Sequence, residues 1–295
     1  MPHHSPLRYP GGKNRLSGFI KLAIENLNIE NCTYIEPFAG GAGVALSLLL
    51  DGTVEKIVIN DYDKAIYSFW RAVKQETNRL IERIENTPIT IEEWHKQKAI
   101  YSSSTSYSLD LAFATLFLNR TNRSGILTGG PIGGYSQDGD WKLDVRFDRK
   151  SLVTKIKDIS SHRQNIYIYN KDIISLLQNY VPRFGENIFI YFDPPYYNKG
   201  QKLYKNFFAP SDHQRIRNVI TQKITAPWII TYDDVKAICD LYSAYDIRKF
   251  DLTYSAANKG IASELMIFSN TLFCPTEKQM IEKGIQLNFR MWCAN

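Results

Sequence analysis

Apolar residues recur at helical spacing in Leu16, Phe19, Ile20, Ala23, Ile24 and Leu27, which predicts an amphipathic helix behind a loop over residues 6–13. Short apolar runs at 34–36 and 56–60 read as strands. Between them lie Gly40-Gly41-Ala42-Gly43 and an apolar helical stretch through Leu50. Strand, glycine turn, helix and strand make a βαβ unit, the element from which parallel sheets are built. Asp63 stands where a cap would open a further helix, with Ile66, Phe69, Trp70, Val73, Leu80 and Ile84 on its apolar face.

The alternation returns late in the chain. It predicts strands at 166–169, 188–192 and 227–232, and helices at 172–180, 211–222 and 235–241, the second of them capped by Ser211. Two last runs, 246–252 and 264–268, flank a polar loop over 255–260 and predict an antiparallel pair. Residues 71–163 break the pattern with a polar helix, a serine-rich stretch at 101–108, an apolar helix at 109–118 and a long glycine-rich loop. A loop of that length inside a compact domain is functional or disordered. The fold class predicted is α/β, a Rossmann-like, mostly parallel sheet with an antiparallel C-terminal hairpin. Residues 1–70 and 164–295 would form it, with a mainly helical module inserted over 71–163.

Composition narrows this only slightly. Apolar residues make up 44% of the 295 and charged residues 22%, ordinary values for a chain with a filled core. The net charge of +6 permits a polyanionic partner without requiring one. Cys32, Cys239, Cys274 and Cys293 lie far apart, and the five histidines show no ligand spacing, so neither a disulfide framework nor a metal site is expected. No stretch approaches the ~20 apolar residues of a membrane span, and the N-terminus lacks a signal-type apolar run, so a cytoplasmic protein is the expectation.

The candidate chemistry gathers at predicted strand ends. Asp193-Pro194-Pro195-Tyr196 closes the run 188–192. A carboxylate there can accept one hydrogen of an exocyclic –NH2 group, the Pro194 carbonyl can accept the other, and Tyr196 offers a flat face for a ring. The two prolines hold these acceptors in extended geometry before a substrate arrives. Glu36 precedes the glycine turn, in which Gly40 and its neighbours allow a ligand close to the backbone. Asp61 follows Gly43 by 18 residues, near the spacing at which an acid meets a ribose hydroxyl, although it would also serve as a helix cap. Leu46 stands where a dinucleotide fingerprint has its third glycine, so a nucleoside-like cofactor without a pyrophosphate fits better, S-adenosyl-L-methionine first among them.

With these residues in view, the chain resembles the Dam-like class of adenine-specific (N6) DNA methyltransferases. The resemblance runs in order through Arg8-Tyr9-Pro10-Gly11-Gly12-Lys13, Ile35 to Gly43, Asn60-Asp61, Leu118-Asn119-Arg120-Thr121-Asn122-Arg123-Ser124-Gly125, Asp193 to Tyr196, and Leu203-Tyr204 with Asp212-His213. It implies methyl transfer from S-adenosyl-L-methionine to the amino nitrogen of an adenine flipped out of double-stranded DNA. Tyr9, Lys13, Asp61 and Asp193 would touch the cofactor, Phe38 would flank it, and Asp172 would read its adenine, a position that a helix cap explains equally well. Extrusion of a base costs a few kcal/mol, and stacking on Tyr196 would return ~1–3 kcal/mol of it.

The inserted module would then recognise the target. Residues 119–163 hold nine basic and five acidic side chains. Arg120, Arg123, Ser124, Lys142 and Arg146, with Arg149 and Lys150, are candidates for phosphates or guanine edges, and Lys199 would help to close a loop over residues 197–208. A bacterial or phage-encoded chain acting as a monomer is expected, either as an orphan enzyme or with a cognate restriction endonuclease as a separate chain. Rival readings are an amino-methyltransferase on cytosine, RNA or glutamine, disfavoured by an acid rather than Ser or Asn before Pro-Pro-Tyr, and a DNA-binding relative without catalysis. A nicotinamide oxidoreductase lacks both its third glycine and a Tyr-x-x-x-Lys relay.

Overall fold

A computed structural model describes residues 4–8, 13–198, 208–254 and 260–291, without the side chains of 252–262. Eight strands form one sheet: β1 (Thr33–Glu36), β2 (Lys56–Asn60), β3 (Ile166–Tyr169), β4 (Ile188–Phe192), β5 (Trp228–Asp233), β6 (Asp246–Tyr254), β7 (Gly260–Phe268) and β8 (Phe289–Met291). Their order is β3-β2-β1-β4-β5-β7-β6-β8. The first five are parallel, whereas β7 runs antiparallel to β5 and β6, and β8 antiparallel to β6. Every residue of β4 and β5 is buried, as expected of strands covered on both faces. Their alternate residues serve two cores: Phe189 and Tyr191 belong to one cluster, Ile188, Ile190 and Phe192 to the other.

Helices α1 (Ser17–Leu27), α2 (Gly43–Leu50) and α3 (Lys64–Gln75) contribute to the first cluster, together with α4 (Thr77–Asn86), α5 (Ile91–Ser103), α6 (Leu109–Thr121) and α7 (Arg149–Ser161). The second cluster includes α8 (Ile173–Ser175) and the π and 3-10 turns that prolong it, with α9 (Pro210–Lys223) and α10 (Lys236–Leu241). Asp63 does cap α3, its side chain accepting from the Ala65 N–H. The single helix predicted beyond it is two, because the backbone turns at Glu76 (φ −129°) and restarts as α4.

Other differences lie at the element ends. Helix α9 starts at Pro210 with Ala209 rather than Ser211 at the cap, and the Asp212 carboxylate accepts from the Ala209 N–H at 2.9 Å. Helix α7, strand β8 and the short helix α11 (Glu277–Glu282) were not predicted. The polar loop expected at 255–260 lies outside the described residues apart from Gly260, which opens β7. No helix among the described residues is long and apolar enough to cross a membrane.

The chain leaves β1 toward β2 and β3 on one side and returns through β4 and β5 on the other. The parallel order therefore reverses between β1 and β4, and open α/β sheets bind ligands outside the carboxyl ends of strands at such a point. Because β7 is antiparallel, its beginning reaches this same edge: Glu264 pairs across from Asp233, the last residue of β5.

Candidate active site

A cavity of about 580 Å³ opens at that edge. Glu36, Phe38, Asp61, Asp172 and Asp193 all line it, with Lys13, Asn14, Asp63, Lys171, Asp212 and Arg215. Among the described residues the wall thus carries six carboxylates against three cationic side chains. Tyr9 and Lys199, expected at the cofactor and the DNA respectively, lie outside the described residues.

The glycine turn is shaped by its neighbours. Gly40 takes φ +45° and Ala42 φ +48°, a left-handed turn that delivers the chain into α2. A Cβ on Gly43 would sit 1.5 Å from the Asn14 side-chain oxygen, so glycine here lets that amide lie against the start of α2. The Trp70 indole N–H donates to the Gly40 carbonyl at 2.9 Å, and the Gly40 N–H donates to Asp61 Oδ2 at 2.9 Å. Asp61 Oδ1 accepts from the Asp63 N–H at 2.8 Å, so the carboxylate links the two turns that follow β1 and β2. Asn60 extends this seam, donating to the Pro37 carbonyl and accepting from the Lys171 N–H at 2.9 Å each. Asp172 caps α8 through Oδ1 while lining the cavity, so its two predicted roles are compatible.

Burial pushes three of these acids upward. Glu36 is 5% exposed and rises to about 8, against the opposing N–H of Ala45. Desolvation lifts Asp61 to about 7 despite its two backbone donors. Asp193 reaches about 6, with burial the main cause, the Lys13 charge opposing it and Glu264 adding to it.

Asp193 leaves the end of β4 into the cavity wall. The Thr231 hydroxyl on β5 donates to its Oδ1 at 2.8 Å. Thr231 has one hydroxyl hydrogen, so the Tyr191 hydroxyl, 2.8 Å away, must be the donor in the other bond. Among the described residues no hydrogen bond reaches Asp193 Oδ2. Beyond the tetrad, Asp233 accepts from the N–H groups of Tyr197 (2.8 Å) and Asn198 (3.0 Å) and fixes the exit of the loop.

Tyr196 is 7% exposed, and its ring is not an open platform. Its hydroxyl donates to Glu264 Oε1 at 2.7 Å and accepts from the Lys13 ammonium at 2.9 Å. Lys13 also reaches Glu264 Oε2 at 2.6 Å and lies 3.7 Å from Asp193 Oδ1. Removing one partner of so buried a pair costs roughly 3–5 kcal/mol. Glu264, Thr231 and Asp233 were missed in the sequence. Asp233 and Thr231 did carry a signal, standing like Asp193 at the end of a predicted strand. Glu264 carried none, because its position depends on the antiparallel register of β7.

The predicted DNA-binding residues lie elsewhere. Arg123, Ser124, Lys142 and Arg146 are exposed on residues 122–148, between α6 and α7. Arg120 is engaged by the protein itself, its Nε donating to the Pro6 carbonyl at 2.7 Å. Arg149 likewise donates to the carbonyls of Ile84 and Thr87 at the end of α4 rather than standing free. Amides hold the loop together: Asn122 accepts from the Trp94 indole N–H, and Gln137 bonds Ile132, Gly134 and Leu143. Asn119 accepts from the Arg8 N–H at 2.7 Å and donates to the Arg8 carbonyl at 2.8 Å, joining α6 to the segment ahead of Lys13.

Comparisons with known proteins place the chain in a family. The sequence model of the D12 class of N6 adenine-specific DNA methyltransferases matches residues 9–256. The chain is 27% identical over 209 residues to the type II methyltransferase M.MjaIII of Methanocaldococcus jannaschii, covering 64% of this chain and 68% of that protein. It is 22% identical over 294 aligned residues to the type II methyltransferase M1.LlaDCHI of Lactococcus lactis subsp. cremoris, covering 88% and 93%. Among solved structures, an rRNA methyltransferase, aviRa from Streptomyces viridochromogenes, superposes with a TM-score of 0.41 at 9% identity over 94% of this chain and 89% of that one.

Proposed function

The chain belongs to the D12 class of N6 adenine-specific DNA methyltransferases, and on that premise we propose how its residues bind the methyl donor and the base. The donor is S-adenosyl-L-methionine, held in the 580 Å³ cavity. A wall with twice as many carboxylates as cations suits a sulfonium and disfavours a phosphate-bearing cofactor. Asp61 takes the ribose hydroxyls, Phe38 flanks the purine, Asp172 reads its edge, and Glu36 and Gly40 shape the floor. Lys13 faces the methionyl carboxylate from within its pair with Glu264.

An adenine amino nitrogen is a poor nucleophile because its lone pair is delocalised into the ring. Hydrogen bonds from its two N–H groups, to Asp193 and to the Pro194 carbonyl, localise that pair toward the methyl carbon. The carbon must sit in line at ~3–3.5 Å, so positioning supplies much of the acceleration. The amine loses its proton after transfer, and no base stronger than a carboxylate is needed. Tyr196 forms the wall behind the amine, and stacking of an everted adenine requires its ring to be uncovered when DNA binds.

Residues 71–163 act as the target-recognition module on double-stranded DNA, with Arg123, Ser124, Lys142 and Arg146 presented outward. Arg120 supports the module through Pro6. The protein works as a monomer in a bacterial or phage-infected cytoplasm, with a restriction endonuclease as a separate partner. The observation that carries the catalytic reading is Asp193 at the cavity wall, one oxygen fixed by Thr231 and the other without a donor among the described residues. Asp193→Ala should lower methylation by at least ~10³-fold while DNA binding survives, the loss expected of a group acting in the transition state. Methyl incorporation into duplex DNA, with binding followed by fluorescence anisotropy, reads both quantities. Wild-type turnover in this variant would end the assignment.

A further inference from the structure

The reaction as proposed uses Asp193, Pro194 and Tyr196 and gives no role to Glu264. Yet Glu264, 2% exposed, touches two members of the site, Lys13 at 2.6 Å and Tyr196 at 2.7 Å. A carboxylate is not left at this depth without consequence for its neighbours. Lys13 lies between Glu264 and Asp193, closer to the first by about 1 Å, its gap to the second being 3.7 Å.

Resting on the catalytic reading above, we propose that Glu264 is a positioning residue for methyl transfer: it draws the Lys13 ammonium away from Asp193 and fixes the Tyr196 ring, which keeps the Asp193 carboxylate available to the target amine. Without this pull, the lysine would close its remaining gap to Oδ1 and compete, as a cation on the same carboxylate, with the amine that the group must bind. Glu264 also adds negative charge near Asp193, and so acts with burial to weaken that acid. The other groups facing Asp193 are Glu36 and Tyr34 from β1, Tyr191 on its own strand, and Thr231 and Tyr232 from β5. Among the described residues, Lys13 meets Glu264 and Tyr196 at hydrogen-bond distance and Asp193 at a longer one.

Glu264→Gln keeps the shape and an acceptor for Tyr196 but removes the charge. The acidic limb of kcat/KM, which reports Asp193 in the free enzyme, should move to lower pH by about one unit, since an opposite charge at close range lowers a carboxyl by 1–3 units. At the alkaline plateau kcat, read at saturating S-adenosyl-L-methionine so that any change in cofactor affinity from moving Lys13 drops out, should fall about tenfold, the worth of one charged hydrogen bond. Glu264→Asp, whose carboxylate is drawn back by one methylene, should shift the limb in the same direction by less. Thermal melts run alongside separate stability from chemistry. An unmoved limb in whichever variant folds overturns the proposal, as does a loss of activity that saturating cofactor restores. Asp193→Ala is the control: if it turns over, the catalytic reading fails first, whereas with it inert an unmoved limb removes Glu264 alone.

Discussion

The carboxyl edge of the sheet and the loop at 122–148 are both polar, yet they are built in opposite ways. At the edge, each acid is fixed by groups from another strand or turn: Asp61 by Gly40 and Asp63, Asp193 by Thr231, Asp233 by the tetrad's own exit. These acids are buried or half-buried, and desolvation has already weakened Glu36, Asp61 and Asp193. In the loop the held side chains include the neutral amides Asn122 and Gln137, and Lys142 is tied to the Gln137 carbonyl at 2.6 Å, while Arg123 and Arg146 are exposed. On the proposed function, a methyl donor meets the same atoms in every turnover, which suits a preorganised pocket. A DNA duplex must be approached, tested and released, which suits exposed charges on a frame rigid only at its base.

The sharpest way to break this contrast is at Asp61. If the edge and the loop are separable, Asp61→Ala should weaken S-adenosyl-L-methionine binding by ~10–100-fold, since hydrogen bonds to a charged group are worth about 1.5–3 kcal/mol. Affinity for duplex DNA without cofactor should stay within about twofold, because the Asp61 carboxylate is held by Gly40 and Asp63 and not by the loop. Isothermal titration gives the first number and anisotropy the second. Equal losses in both would mean that the edge and the loop form one unit.

The same contrast decides what was legible beforehand. The sheet was readable because its signals are local: β4 and β5 are continuous apolar runs, and the glycine turn and Asp193-Pro194-Pro195-Tyr196 occupy the strand ends that such runs imply. Each strand carried its candidate acid with it. The loop was not readable, because its shape depends on Asn119 reaching Arg8 across 111 residues and on Gln137 at φ +54° gathering three backbone groups. Arg120 and Arg149 looked like free cations for the same reason, since nothing local announces the carbonyls of Pro6, Ile84 and Thr87. Glu264 is the telling exception at the edge, set by strand register rather than by any motif. Helix α7 was simply overlooked, since Leu152, Val153, Ile156 and Ile159 have helical spacing behind the Asp148 cap.

A smaller effect should distinguish recognition from mere attraction within the loop. Arg123 sits in a tight turn beside Ser124, whose φ of +56° fixes the direction of the chain, and its backbone N–H is tied to the Gly130 carbonyl at 3.1 Å. Lys150 lies on α7 with no comparable anchoring. Arg123→Ala should reduce discrimination between the target site and one-base variants by about tenfold or more, since a well-made base contact carries ~1–3 kcal/mol. Lys150→Ala should weaken all sequences alike and lower the salt dependence of binding. Methylation rates on a panel of duplexes, each at two salt concentrations, compare the two, and identical behaviour would remove Arg123 from base reading.

The smallest effect concerns stability, and its sign runs against habit. Glu36, Asp61 and Asp193 rise to about 8, 7 and 6 in the folded chain, above the ~4 of an unfolded carboxyl. Between these limits the folded state binds more protons than the unfolded one, so the stability these acids contribute is complete below about pH 4 and is lost as pH rises through about 8. The cofactor-free protein should therefore melt a few degrees lower at pH 8 than at pH 6, after allowance for the exposed groups. A cationic sulfonium favours the ionised wall, so the rise in melting temperature on adding S-adenosyl-L-methionine should be larger at pH 8. Loops such as 122–148 bury none of these acids and cannot produce this coupling. A cofactor-induced shift that is equal at both pH values, or larger at pH 6, would show that the edge is not poised by burial as its geometry requires.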